Sequence, residues 1–167
     1  MKATLLVIDM QKDFIDGALG TPEAQAIVPA VKEKIQNRLA EGWEILYTRD
    51  THGEDYLHTP EGKKLPVPHC IRGTVGWEIP EELYVEGSEI IDKPSFGFTG
   101  WNSYSFEEIE IVGLCTDICV VSNALILKAL FPNAKISVDP KCCAGVTPAS
   151  HDAALLTMKM CQIDVVE

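Results

Sequence analysis

The sequence predicts a three-layer α/β/α fold: one parallel sheet of six strands with helices on both faces. Three observations carry this. Short apolar runs alternate with stretches of helical spacing along the whole chain. The runs are apolar at consecutive positions, as in strands covered on both sides. The repeated order β-α-β requires parallel pairing through crossover helices, the Rossmann-like arrangement.

Taken in order, Leu5-Leu6-Val7-Ile8 is the first strand and Asp9 ends it. Ile27, Val31, Ile35 and Leu39 form one stripe, so residues 27–40 are read as a helix that Gly42 stops. Residues 44–48 form the second strand. Residues 51–87 are rich in Gly, Pro and charge and have weak periodicity. They are expected to form a long loop with short elements, a kind of segment that usually carries function in a compact domain. Strands are expected at 88–92, 109–114, 135–139 and 163–166, with helices at 116–130 and 148–160. The 167 residues suit a single domain spanning 1–167.

Composition narrows the function. The apolar fraction of 46% and the charged fraction of 23% are ordinary for a globular chain. Acidic residues outnumber basic ones 25 to 14, for a formal charge of −11. That argues against a basic face for nucleic acid and slightly favours a neutral substrate. The apolar run at the N-terminus is too short for a signal peptide, and no stretch reaches membrane-spanning length. The expected location is therefore cytoplasmic. The six cysteines are expected to be reduced, and Cys115-x3-Cys119 is not metal-knuckle spacing.

In parallel sheets, ligands bind beyond the carboxyl ends of the strands. Asp9, Asp50 and Lys93 follow the first three strands, and the segment from Gly113 to Cys119 follows the fourth and opens a helix. A cysteine taken alone is more often a buried structural thiol. Cys119, however, lies in the first turn of its expected helix, where the helix dipole favours a thiolate and lowers the thiol pKa. Free N–H groups at that terminus can bind a developing oxyanion. Asp9 is suited to accept the thiol proton, provided the site raises its pKa. Lys93 is suited to stabilise the thiolate or orient Asp9. Three of the four histidines fall in the long loop, and Asp50, His52, His58 and His69 form a donor set for a divalent ion such as zinc, iron or manganese. His151 is read as local and structural.

At these residues the chain resembles the isochorismatase-like cysteine hydrolases, and within them the nicotinamidase/pyrazinamidase group. The likeness runs through Leu6-Val7-Ile8-Asp9-Met10-Gln11-Lys12-Asp13-Phe14, Thr48-Arg49-Asp50-Thr51-His52 and Pro68-His69-Cys70-Ile71-Arg72-Gly73-Thr74. It continues at Lys93 with Phe96 and Phe98, and at Gly113-Leu114-Cys115-Thr116-Asp117-Ile118-Cys119-Val120. The resemblance implies a triad of Asp9, Lys93 and Cys119. It implies an oxyanion hole from the backbone amides of Cys115 and Cys119, with a cis peptide before Cys115. It also implies a metal site of Asp50, His52, His58 and His69, and a substrate pocket at Phe14, Leu114 and Ile118. The implied substrate is a small amide, nicotinamide first, and the implied assembly is a homo-oligomer, dimer or tetramer. Pro66 stands where the group often places a pocket tryptophan, which leaves Phe14, Phe96, Phe98 or Trp101 to supply the aromatic wall. Two other readings stay open: hydrolysis of a carbamoyl, ureido or vinyl-ether compound on the same fold, and a metal-binding relative without catalysis.

Overall fold

A computed structural model describes residues 2–167. Six strands form one sheet: β1 (Ala3–Ile8), β2 (Glu44–Asp50), β3 (Ile90–Lys93), β4 (Glu108–Leu114), β5 (Lys135–Ala144) and β6 (Asp164–Val165). Their spatial order is β3-β2-β1-β4-β5-β6, and every pairing is parallel. The chain moves outward one way through β1, β2 and β3, then returns to the other side of β1 for β4, β5 and β6. The sheet therefore has its topological switch point between β1 and β4, where a crevice opens at the carboxyl ends.

Strict alternation sends side chains to two cores. Leu6 and Ile8 of β1 join Ile109 and Ile111 of β4 under α4 (Val121–Leu130) and α5 (Pro148–Met160). Leu5 and Val7 join Val112 and Leu114 under α2 (Pro22–Ala40). No other arrangement buries consecutive apolar residues on both faces, so the unbroken apolar runs find their explanation here.

The helices begin where capping chemistry allows. α2 starts at Pro22, five residues before the expected Ile27, because the Thr21 hydroxyl accepts the Ala24 N–H and Pro22 occupies the first turn. A short helix not expected from the sequence, α1 (Lys12–Ile15), follows β1. The 51–87 segment is largely irregular, with α3 (Pro60–Lys64) and three 3₁₀ turns. The expected helix at 116–130 is two elements: a π-helical turn at Thr116–Val120, then α4. β5 runs on to Ala144, beyond the expected Asp139. The register of β4 against β5 shifts between Ile111 and Gly113. At Gly113, φ is +124°, and a Cβ there would lie 2.1 Å from the Ile8 carbonyl oxygen. Only glycine lets β1 and β4 close up at this point.

All six cysteines are free, as expected from the composition. No helix among the described residues is long and apolar enough to cross a membrane.

Candidate active site

Three segments meet at the switch point. Asp9, the first residue past β1, adopts φ +49°, a left-handed backbone that turns its carboxyl into the crevice. Lys93, the last residue of β3, extends its ammonium inward. Its Nζ donates to Asp9 Oδ2 at 2.7 Å and to the Ser95 carbonyl at 3.0 Å. Thr48 of β2 donates its hydroxyl to the other Asp9 oxygen at 2.7 Å. Asp9 and Lys93 have no exposed surface and Cys119 only 4%. The three groups therefore see one another and the crevice, and almost no bulk water.

Cys119 sits in the π turn. The Cys115 carbonyl accepts the N–H groups of both Ile118 and Val120, each at 3.1 Å, which widens the turn beyond α-helical pitch. The Cys115 N–H has no hydrogen-bond partner among the described residues. The Leu114–Cys115 peptide is cis, as the resemblance implied. His151 bonds through Nδ1 to the Thr116 hydroxyl at 2.7 Å and tethers α5 to the start of the turn.

The electrostatics correct one expectation. Burial pushes the Cys119 thiol well above its ordinary range, and the Asp9 charge pushes it further, while Lys93 only partly opposes them. Complete desolvation and an adjacent carboxylate both disfavour the thiolate. Burial also raises Asp9, against the pull of Lys93, which brings its proton affinity towards the range a base needs. Burial lowers Lys93, but Asp9, Cys119 and Asp50 outweigh it and hold the ammonium charged.

Beside the three lies a cluster of nitrogen and oxygen donors. Asp50 Oδ2 is 2.8 Å from His52 Nε2 and 3.4 Å from His69 Nε2. One donor atom from each of these residues lies within 4.8 Å of the others. His69 Nδ1 is held by the Val67 carbonyl at 2.7 Å, which aims Nε2 at Asp50. Burial raises Asp50, but hydrogen bonds from His52 and His69 outweigh it and bring the carboxyl to about 2. His58 does not join them. The 3₁₀ turn Tyr56–His58 buries Tyr56 against His52 and His69 and leaves His58 exposed. Glu61 of α3 comes in instead, with Oε2 3.1 Å from His52 Nε2. That nitrogen already faces Asp50 Oδ2 and cannot serve both oxygens, and among the described residues Glu61 Oε2 and, separately, Asp50 Oδ1 are buried without a hydrogen-bond partner. Two orphaned carboxylate oxygens beside two imidazoles fit a divalent cation.

A cavity of about 160 Å³ opens onto the sulfur. Its wall is mostly apolar and includes Phe14, Leu65, Phe96, Ile118 and Val146. Phe14 and Ile118 are where the resemblance put them. Leu114 is not: as the last residue of β4 it points the same way as Val112 and is buried in the core under α2. Phe98 packs on the other core and Trp101 is fully buried there, so the aromatic wall comes from Phe14 and Phe96. Pro66 is exposed and Leu65 reaches the cavity in its place.

Sequence reasoning missed Glu61, Thr48 and the part played by Gln11. The Gln11 side chain accepts the Asp50 N–H and donates to the Asp50 and Trp77 carbonyls, all at 2.8 Å, and so fastens the loop to β1. The sequence held a signal for Gln11, two residues after Asp9 in the opening motif, and for Thr48, which opens the motif that carries Asp50, but none for Glu61.

Comparison with known proteins identifies the family. The isochorismatase domain model matches residues 3–167. A nicotinamidase/pyrazinamidase of Mycobacterium tuberculosis is 25% identical, with 97% of each chain covered. A probable inactive nicotinamidase of Arabidopsis thaliana is 30% identical over 93% of this chain and 87% of its own. The crystal structure of Pyrococcus horikoshii pyrazinamidase in complex with zinc superposes with a TM-score of 0.86 at 28% identity, covering 100% of this chain and 99% of that one. The chain belongs to the isochorismatase-domain family.

Proposed function

We propose that the chain is a cysteine hydrolase that cleaves a small neutral amide, nicotinamide first, to the carboxylic acid and ammonia. One observation carries this reading: Asp9, Lys93 and Cys119, from three distant segments, converge in a dry crevice at the mouth of a small, mostly apolar cavity. The cavity is smaller than drug-sized pockets and suits one ring with one polar substituent. No arginine lines it, and Lys93 is already committed to Asp9. A substrate carrying a carboxylate, such as a carbamoyl amino acid or isochorismate, would find no arginine or uncommitted lysine in the wall.

In the proposed reaction, Asp9 takes the Cys119 proton as the sulfur attacks the amide carbon. The paired upward displacements make this transfer feasible: a thiol hard to ionise is matched to a carboxyl that burial has made more basic. Negative charge passes to the substrate oxygen, which the Cys115 and Cys119 N–H groups receive. Lys93 stays charged throughout and balances whichever of Asp9 or Cys119 carries the negative charge. Asp9 then returns the proton to the departing ammonia and leaves a thioester on Cys119. Water, deprotonated by Asp9, cleaves the thioester, releases the acid and restores the thiol. The product carboxylate forms beside Asp9, whose negative charge favours its release.

Asp50, His52 and His69 would hold a divalent ion, with Glu61 facing it. Such an ion supplies a Lewis acid that orients a ring nitrogen or a bound water. The test is ammonia release from nicotinamide by purified protein, with Cys119→Ala as control. Full activity in Cys119→Ala removes the mechanism, and no turnover of nicotinamide with turnover of another amide removes the substrate.

A further inference from the structure

Asn123 lies in α4, four residues after Cys119, and has no exposed surface. Asparagine is a poor residue for a helix interior, and a buried one must satisfy four hydrogen bonds. Asn123 satisfies all four, and their partners are informative. Its Oδ1 accepts the Phe98 N–H at 2.8 Å and the Trp101 indole N–H at 2.9 Å. Its Nδ2 donates to the Phe96 carbonyl at 3.0 Å and to the Cys119 carbonyl at 2.8 Å. One side chain thus ties the carbonyl of the sulfur-bearing residue to the loop that follows Lys93.

That loop serves both sides of the site. The Ser95 carbonyl receives the Lys93 ammonium, and Phe96 forms part of the cavity wall. The loop also lies flat against α4: a Cβ at Gly97 would come within 2.6 Å of the end of the Ile126 side chain. The π turn widens the backbone at Cys119, and Asn123 supplies a side-chain donor to the Cys119 carbonyl. We infer that Asn123 is a positioning residue that sets the sulfur of Cys119 against Lys93 and Asp9 and holds Phe96 against the substrate, a role that rests on the hydrolase reading above.

The amide is needed for its donors as well as its acceptor. Asn123→Asp keeps the acceptor for Phe98 and Trp101 but turns a second oxygen towards two carbonyls. Trp101→Phe is the control, since it removes one of the four bonds and leaves the Phe96 and Cys119 links intact. The readouts are the alkylation rate of Cys119 by iodoacetamide as a function of pH, followed on its peptide by mass spectrometry, and kcat and KM separately. Asn123→Asp is expected to lower kcat and shift the pH profile of alkylation, by about tenfold to a hundredfold in rate, as misplacement of a reacting group does. It is also expected to raise KM, whereas Trp101→Phe lowers the melting temperature and leaves the alkylation profile within about twofold. If Asn123→Asp does not fold, Asn123→Thr replaces it: its hydroxyl donates to the carbonyl four residues back but does not span to Phe96, so KM is expected to rise with the alkylation profile kept. A folded variant with the parent's alkylation profile, kcat and KM overturns the inference, as do equal losses in Trp101→Phe. A parent that releases no ammonia from any amide instead overturns the hydrolase reading, so the two failures are distinct.

Discussion

Replacing Lys93 by methionine tests the electrostatic core of the site. The substitution keeps length and apolar bulk and removes one charge. Lys93 and Asp9 have no exposed surface, and their 2.7 Å contact is Asp9's only ion pair among the described residues. Removing the ammonium leaves a buried carboxylate with the Thr48 hydroxyl, the Cys119 thiol and backbone dipoles for company, and no positive charge beside it. Breaking a buried pair from one side costs about 3–5 kcal/mol. For a chain of this size that is a fall in melting temperature of roughly 6–20 °C. Asp9→Asn should cost a comparable amount by stranding the ammonium. In the double variant neither charge is stranded, so its loss should fall short of the sum by about 1–3 kcal/mol. The pH dependence adds an independent sign. Without Lys93 the folded-state pKa of Asp9 rises further above its ordinary 3.8. A raised acid binds more protons folded than unfolded, so stability falls as pH climbs from the unfolded value through the folded one. The deficit of Lys93→Met against the parent should therefore be small near pH 3 and widen towards neutrality, as about 2 kcal/mol or more. Urea unfolding of the four proteins across pH measures all of this. Additivity within about 0.5 kcal/mol, or a deficit that shrinks as pH rises, would refute the reasoning.

Three further outcomes are expected. Cys119→Ala should lower ammonia release about 10⁴-fold while the melting temperature stays near that of the parent, because a small, buried side chain is shortened by one atom; differential scanning calorimetry beside the assay separates the two effects. In the parent, alkylation of Cys119 should keep accelerating as pH rises above 7, since burial and Asp9 hold the thiol protonated, and a plateau below neutrality would contradict the upward displacement. Zinc titrated against a chromophoric chelator should bind His58→Ala like the parent, bind Glu61→Gln about tenfold more weakly, and fail to bind His52→Ala at comparable concentrations; weakening by His58→Ala alone would restore the set expected from sequence.

What could be read without coordinates follows from where information is local. An apolar run such as Leu5–Ile8 can be buried on both faces only inside a parallel sheet, and the residue after such a run falls at the ligand edge. Asp9, Asp50, Lys93 and Cys119 were legible for that reason. The early start of α2 is missed by following the stripe that begins at Ile27, although a signal for it is present: Thr21-Pro22 is a capping signature. Other features depend on contacts that no local pattern encodes. Whether His58 or Glu61 faces His52 is decided by which side of a short 3₁₀ turn buries Tyr56, and the spacing of histidines carries no such information. The sign of the Cys119 displacement is a contest between a helix terminus, visible in sequence, and the depth of burial beside Asp9, which is not.

That contest also bears on why the site needs three residues. A cysteine at an exposed helix start would ionise readily, but its thiolate would be a weaker nucleophile and would be open to oxidants and water. In the proposed mechanism the same sulfur, placed in a dry crevice, stays protonated until a base within reach takes the proton, and that base must be comparably reluctant to hold its charge. Asp9 meets that condition only because it is buried, and it can be buried as an ion only because Lys93 is buried with it. The parallel sheet makes this possible: its switch point brings the end of β1 beside the turn after β4, while β3, two strands away, delivers a side chain long enough to reach the same point.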